Sequence, residues 1–210
     1  MTRHIQLLSE TLRPSNLADL NLPDNLHSSF ERMVKRRSII NLLFYGKPGI
    51  GKTSAARILL KEIDADVYEI NGSFNKGEKT MVNGIEGFSS TLSFEDKPKV
   101  CFIDEADHMS KEVQASLRHI IEKLSSTTRF LLTANEVDRL TPALRSRCSP
   151  ICFDVFPTDI PKIIDTMVGR YKIALENSGH SYEESRLRNI VSVYFPDLRE
   201  IANRLEIEFV

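Results

Sequence analysis

Five short apolar or β-branched runs punctuate the chain: residues 39–45 (IINLLFY), 67–70 (VYEI), 99–104 (KVCFID), 129–134 (RFLLTA) and 151–155 (ICFDV). Amphipathic stretches of helical period separate them, and such alternation predicts parallel strands joined by crossover helices. The runs are nearly continuous in apolar character, as strands are when helices cover both faces of their sheet. The expected fold is α/β, a doubly wound parallel five-stranded sheet.

Beyond Phe156 the pattern changes. Pro157 opens a stretch in which Ile160, Ile163, Ile164, Met167, Val168 and Tyr171 recur at helical spacing, and no strand-like run follows. Two further helical patterns, about Tyr182 to Tyr194 and Asp197 to Glu206, are parted at Phe195-Pro196, because proline disfavours helical backbone in the residue before it. The boundary falls between Phe156 and Asp159, which divides the chain into a sheet domain over 1–156 and a small helical domain over 157–210. About fifty residues are few for an independent core.

Composition narrows the class only slightly. The 210 residues, 41% of them hydrophobic, suffice for a real core, and 28 basic against 29 acidic side chains leave no net signal for a nucleic-acid partner. Cys101, Cys148 and Cys152 are an odd count without a secretory signal, which suits reduced thiols in a cytoplasm. Cys148 and Cys152 lack the second ligand pair a metal site needs. No run approaches the ~20 apolar residues of a membrane span, so a soluble, cytoplasmic protein is expected.

The chemistry begins at Gly46-Lys47-Pro48-Gly49-Ile50-Gly51-Lys52-Thr53-Ser54. Gly-x-x-x-x-Gly-Lys-Thr between a predicted strand and a predicted helix (52–61) is a phosphate cradle: glycines let successive N–H groups turn inward, and the helix N-terminus adds partial positive charge. Lys52 is expected to neutralise β- and γ-phosphate oxygens and the Thr53 hydroxyl to hold Mg²⁺, making ATP and Mg²⁺ the expected ligands. The competing reading is a plain Gly-Pro turn, which has no need of Lys-Thr after its last glycine.

The run KVCFIDEAD closes a buried strand on carboxylates. Asp104 is the candidate second ligand for Mg²⁺, and Glu105 the candidate to orient and polarise an attacking water. Asp107 and His108 read as a helix cap or loop face. The letters DEAD also occur in RNA helicases, but this chain is too short for two such domains.

With these pieces placed, the chain resembles AAA+ ATPases, and among them sliding-clamp loader subunits of the replication factor C type. Leu12-Arg13-Pro14-Ser15-Asn16-Leu17-Ala18-Asp19-Leu20 is similar to the family's N-terminal box, which implies Arg13 and Pro14 beside the adenine. Leu132-Thr133-Ala134-Asn135 resembles sensor 1, with Asn135 as its polar residue. Arg145-Ser146-Arg147-Cys148 contains the Ser-Arg-Cys signature, which implies that Arg147 acts on a neighbouring subunit's nucleotide. Phe195-Pro196-Asp197-Leu198-Arg199 resembles the start of the sensor-2 helix, with Arg199 as the arginine of a helical lid. Within the family, the segments are most similar to those of T-even bacteriophage ATPase subunits, which implies a bacterial or phage-infected cell. A surface arginine, a salt-bridged helix residue and a strand-end cap are the ordinary alternatives for Arg147, Arg199 and Asn135.

The resemblance implies an ATPase, weak in isolation, that works in an oligomer with a sliding clamp, other loader subunits and primer–template DNA. Lys76, Lys79, Lys111 and Arg118 are candidates for phosphate contacts, solvated surface being the alternative for each. The run Lys35-Arg36-Arg37 reads as a solvated face or subunit contact. The family's helical collar has no counterpart before Val210, so a truncated ATP-binding interaction module, or a helicase-loader-like protein without independent turnover, is the rival expectation.

Overall fold

In the computed structural model, residues 12–20, 22–74, 77–91, 93 and 96–209 are described. The chain runs α1 (Asp24–Lys35), β1 (Leu42–Tyr45), α2 (Lys52–Ile63), β2 (Asp66–Asn71), α3 (Glu78–Ser90), β3 (Lys99–Asp104), α4 (Lys111–Lys123), β4 (Thr128–Ala134), α5 (Pro142–Arg145) and β5 (Ser149–Cys152). Three helices follow: α6 (Ile160–Asn177), α7 (Glu184–Tyr194) and α8 (Leu198–Phe209). All strand pairs are parallel, in the order β2-β3-β4-β1-β5.

Strand alternation assigns the two faces. Leu42 and Phe44 of β1, Val100 and Phe102 of β3 and Leu131 of β4 pack with Phe30 of α1 and with Ala56, Leu59 and Ile63 of α2. Leu43, Cys101, Ile103, Phe130 and Leu132, one residue out of phase, pack with Met81 and Ile85 of α3, Leu117 and Ile121 of α4 and Leu144 of α5. Both faces are therefore covered, which accounts for the continuous apolar runs. Helices α6 to α8 enclose a third apolar cluster around Met167, Leu175, Leu187, Val191, Ile201 and Leu205, which Leu12 joins from the other end of the chain.

Local chemistry sets the boundaries. Helix α2 starts at Gly51 (φ 98°) and stops at Asp64 (φ 60°), both left-handed. Ser110 caps α4 by accepting from Val113 N, and Thr141 with Pro142 starts α5. Lys99, 8% exposed, donates Nζ to Phe88 O at 2.7 Å and to Thr91 Oγ1 at 2.7 Å, capping the C-terminus of α3.

The expected strand over 151–155 is displaced: pairing with β1 begins at Ser149 and ends at Cys152. Phe153 N donates once more, to Tyr45 O at 2.8 Å, and the chain then turns so that Asp154 Oδ1 accepts from Lys47 N at 3.0 Å. The Asp154 carboxylate thus takes the cradle as its partner instead of prolonging the ladder. Likewise Ile39 to Asn41 precede β1 rather than belong to it.

Candidate functional site

Strand order reverses at β1, which lies between β4 and β5, and crevices at the carboxyl ends of strands around such a point are where open α/β sheets bind ligands. A cleft of about 580 Å³ opens there. It is lined by Pro48 to Ala55 of the cradle and α2, by Asp104, Glu105, Thr133 and Asn135 from the sheet, and by Arg170, Tyr171, Leu198, Arg199 and Ala202 from the helical part. Arg13, Pro14, Asp19 and Leu20 line it from the N-terminal segment.

The cradle's shape rests on glycine. At Gly49 (φ 77°) a Cβ would sit 2.3 Å from Asp197 Oδ1, so only a residue without one lets the start of α8 approach this closely. Leu198 N then donates to Gly49 O at 3.0 Å, and Asp197 Oδ1 caps α8 by accepting from Arg199 N and Glu200 N, each at 3.0 Å. Lys52 is 6% exposed, with Nζ donating to Gly46 O, Lys47 O and Asn135 Oδ1, each at 2.8 Å. Burial pulls its pKa below the usual lysine value, against the opposing charges of Asp107, Asp154, Asp104 and Glu105.

Asp104, 7% exposed, takes two hydroxyl donors on Oδ1: Thr53 Oγ1 at 2.8 Å and Thr133 Oγ1 at 2.5 Å. Thr133 Oγ1 in turn accepts from Glu105 N at 2.9 Å, so one hydroxyl ties the ends of β3 and β4 together. Glu105 occupies the left-handed region (φ 55°) and accepts from the Ser73 hydroxyl through Oε2. A hard cation that keeps several waters and draws the rest of its shell from phosphates needs few protein oxygens, and Thr53 with Asp104 fits that donor set for Mg²⁺.

Asp107 corrects the sequence reading. It is buried at 5% exposure, and Oδ2 accepts from Asn135 N at 3.1 Å and Glu136 N at 3.0 Å, whereas neighbouring His108 is exposed. Thr133, Ser73, Asp107 and Arg170 were missed as site residues. Of these, Asp107 carried a signal: a third acid just beyond a buried strand's end.

Of the expected site residues, Arg13, Pro14, Pro48, Gly49, Ile50, Gly51, Lys52, Thr53, Ser54, Asp104, Glu105, Asn135 and Arg199 come together around the cleft. Gly46 and Lys47 stand behind it as acceptors for Lys52. Arg147 lies elsewhere, just before β5, with Nε donating to Glu122 Oε1 at 2.7 Å, the oxygen that Arg118 also approaches at 3.3 Å. Asn41 Nδ2 supports it by donating to Arg147 O at 3.3 Å. Among the DNA candidates, Lys79 and Lys111 are exposed, Arg118 is paired with Glu122, and Lys76 lies outside the described residues.

Gln114 of α4, 1% exposed, reaches the loop that leads to α5 and Arg147. Its Nε2 donates to Met109 O at 3.0 Å and Arg139 O at 3.2 Å, and its Oε1 accepts from Thr141 N at 2.8 Å.

Residues 42–154 match the family model "ATPase family associated with various cellular activities (AAA)". Curated relatives include replication factor C subunit 4 of Caenorhabditis elegans, 34% identical over 210 aligned positions that cover 94% of this chain and 61% of that protein. The replication factor C small subunit of Aeropyrum pernix is 31% identical, covering 94% of this chain and 61% of its own length. The chain thus spans about three-fifths of the length of these relatives. Among solved structures, the RuvB Holliday junction branch migration motor of Thermotoga maritima aligns with a TM-score of 0.70 at 23% identity, over 94% of this chain and 64% of that one, a likeness of fold. No helix among the described residues is long and apolar enough to cross a membrane.

Proposed function

Because the chain belongs to the ATPase family associated with various cellular activities (AAA), we propose that it is a clamp-loader-type subunit. In this reading it binds and hydrolyses ATP with Mg²⁺, working with other loader subunits, a sliding clamp and primer–template DNA. The observation that carries the reading is the meeting of Lys52, Thr53, Asp104, Glu105, Asn135 and Arg199, from four separate stretches of chain, on one cleft. Similarity to replication factor C subunits supports the choice among AAA functions. The finer affinity to phage loaders, and with it a bacterial or phage-infected cytoplasm, rests on the sequence segments quoted above.

The roles in this reading draw support from placement. Arg13 and Pro14 border the base end of the cleft, and residues 157–209 are read as its lid. Lys52 would reach the phosphates by releasing a backbone acceptor, Gly46 O or Lys47 O, with Asn135 fixing its direction. Thr53 and Asp104 would hold Mg²⁺, which when bound would neutralise charge on the phosphate oxygens. Glu105 orients and polarises the attacking water, its backbone held by Thr133. Arg199, on the lid's last helix, reads the phosphate end, and Arg147, outside its own cleft, serves a neighbour's.

Turnover measured with and without primed DNA and clamp tests this. Glu105→Gln is expected to retain ATP binding and lose stimulated hydrolysis, with weak basal turnover in the isolated chain. Full turnover by Glu105→Gln removes that residue's role. If the wild type binds ATP but DNA and clamp never stimulate turnover, the chain is an interaction module. A response to a helicase and none to a clamp refutes clamp loading.

A further inference from the structure

The roles above depend on Asn135 meeting Lys52, and Asn135 stands just past the end of β4, where the strand's own ladder no longer holds the backbone. An N–H group there needs another acceptor. Asp107 supplies it to two residues at once, through the bonds from Asn135 N (3.1 Å) and Glu136 N (3.0 Å) to a single oxygen. The other oxygen, Oδ1, is buried without a hydrogen-bond partner. A half-satisfied buried carboxylate is costly, and a neutral asparagine would make the same two bonds. Through Asn135 the Asp107 side chain reaches Lys52, whose Nζ donates to Asn135 Oδ1 at 2.8 Å.

We propose that Asp107 is a positioning residue for the nucleotide site, its side-chain oxygen fixing the Asn135 backbone so that Asn135 Oδ1 meets Lys52 Nζ. The inference rests on the ATP-binding reading and extends it to a residue that touches no phosphate. Asp107 belongs to the one-turn helix Ala106–His108, directly after the Asp104–Glu105 pair. One turn of chain thereby links the metal-side carboxylates to the lysine side of the cleft.

Two substitutions separate the components. Asp107→Asn keeps the acceptor in place and removes the charge; Asp107→Glu keeps the charge and displaces the acceptor. Titration calorimetry of the full chain with ATP and with ADP gives the preference for ATP, and thermal melting checks folding. Asp107→Glu is expected to lose about tenfold in ATP preference, the scale of one charge-assisted hydrogen bond, while Asp107→Asn stays within about twofold of wild type. Asn135→Ala is expected to lose a factor similar to that of Asp107→Glu, and Asp107→Glu combined with Asn135→Ala no more than about twofold beyond the larger single loss, because the two act as a unit. Multiplying losses would show an independent, merely structural Asp107 and overturn the proposal, as would a wild-type ATP preference in Asp107→Glu or a loss in Asp107→Asn as large as in Asp107→Glu. The Asn variant gives an independent arm if Asp107→Glu melts early. A wild-type chain that binds neither nucleotide would instead bring down the ATP-binding reading, and this inference with it.

Discussion

Replacing Gln114 by leucine isolates the cost of stranding backbone groups in a closed site. Leucine is close in size, so α4 should keep its packing around Leu117 and Ile121, while Met109 O, Arg139 O and Thr141 N lose their partner at a position 1% exposed. Each stranded buried group costs about 1–3 kcal/mol. Taking the low end for each gives a total of about 3 kcal/mol, a fall in melting temperature of roughly 6–12 °C for a chain of this size. Gln114→Glu sharpens the test. Its carboxylate still accepts from Thr141 N but faces two carbonyl oxygens where the amide donated, so burial and repulsion raise its folded-state pKa above the unfolded value. The penalty is then full near neutral pH and shrinks as pH falls through the raised pKa, since the protonated carboxyl donates to one carbonyl. Thermal melting of wild type, Gln114→Leu and Gln114→Glu from pH 7.5 to 5 measures both effects. A loss below about 1 kcal/mol in Gln114→Leu, or a Gln114→Glu deficit that does not narrow on acidification relative to wild type, would refute the reasoning.

Two further outcomes are expected. Lys99→Met leaves the carbonyls at the end of α3 uncapped and removes a cation lying 5.0 Å from the Phe88 ring centroid. It should lower stability by about 1–3 kcal/mol in urea unfolding, and an unchanged midpoint would show that water replaces the ammonium. Arg170 donates to Leu12 O and Asp19 O, fastening both ends of the N-terminal segment that borders the cleft. Arg170→Ala should weaken ATP binding about five- to tenfold in titration calorimetry, and Arg170→Lys should not restore it, since one ammonium lacks the guanidinium fork. Full rescue by lysine would leave only the charge as the relevant property.

The sheet and the cradle were legible because their signals are local. Lys99 to Asp104 is a strand from end to end as expected, since all six of its residues are buried and its apolar pattern is unbroken. Gly46 to Thr53 carries its meaning in its spacing. Strand β5 was misplaced because the run after Ser149 looks equally extended on both sides of Cys152. What stops it is Asp154 meeting Lys47, a partner 107 residues away. Asp107 was read as a cap for the same reason: its acceptor role depends on Asn135, which the fold delivers from the next strand. Gln114 left a faint trace, a polar residue on the helical stripe shared with Leu117 and Ile121. The Glu122 grip on Arg147 left none, because nothing in a 25-residue separation says which surface carboxylate an arginine will meet.

The seating of α8 on the cradle bears on how the molecule is made. Gly49 leaves the ribosome long before Leu198, whose N–H it receives at 3.0 Å. Sheet partners Asp104 and Asn135 arrive in between. At about 5–20 residues per second, the 63 residues from Asn135 to Leu198 take roughly 3–13 s to synthesise. During that interval the nascent chain already has its lysine, threonine and carboxylate side chains in hand, but no roof. Nucleotide met at that stage would find the cradle and its carboxylates built and the helical cover still missing. A cell rich in ATP could thus influence the order in which the two halves settle.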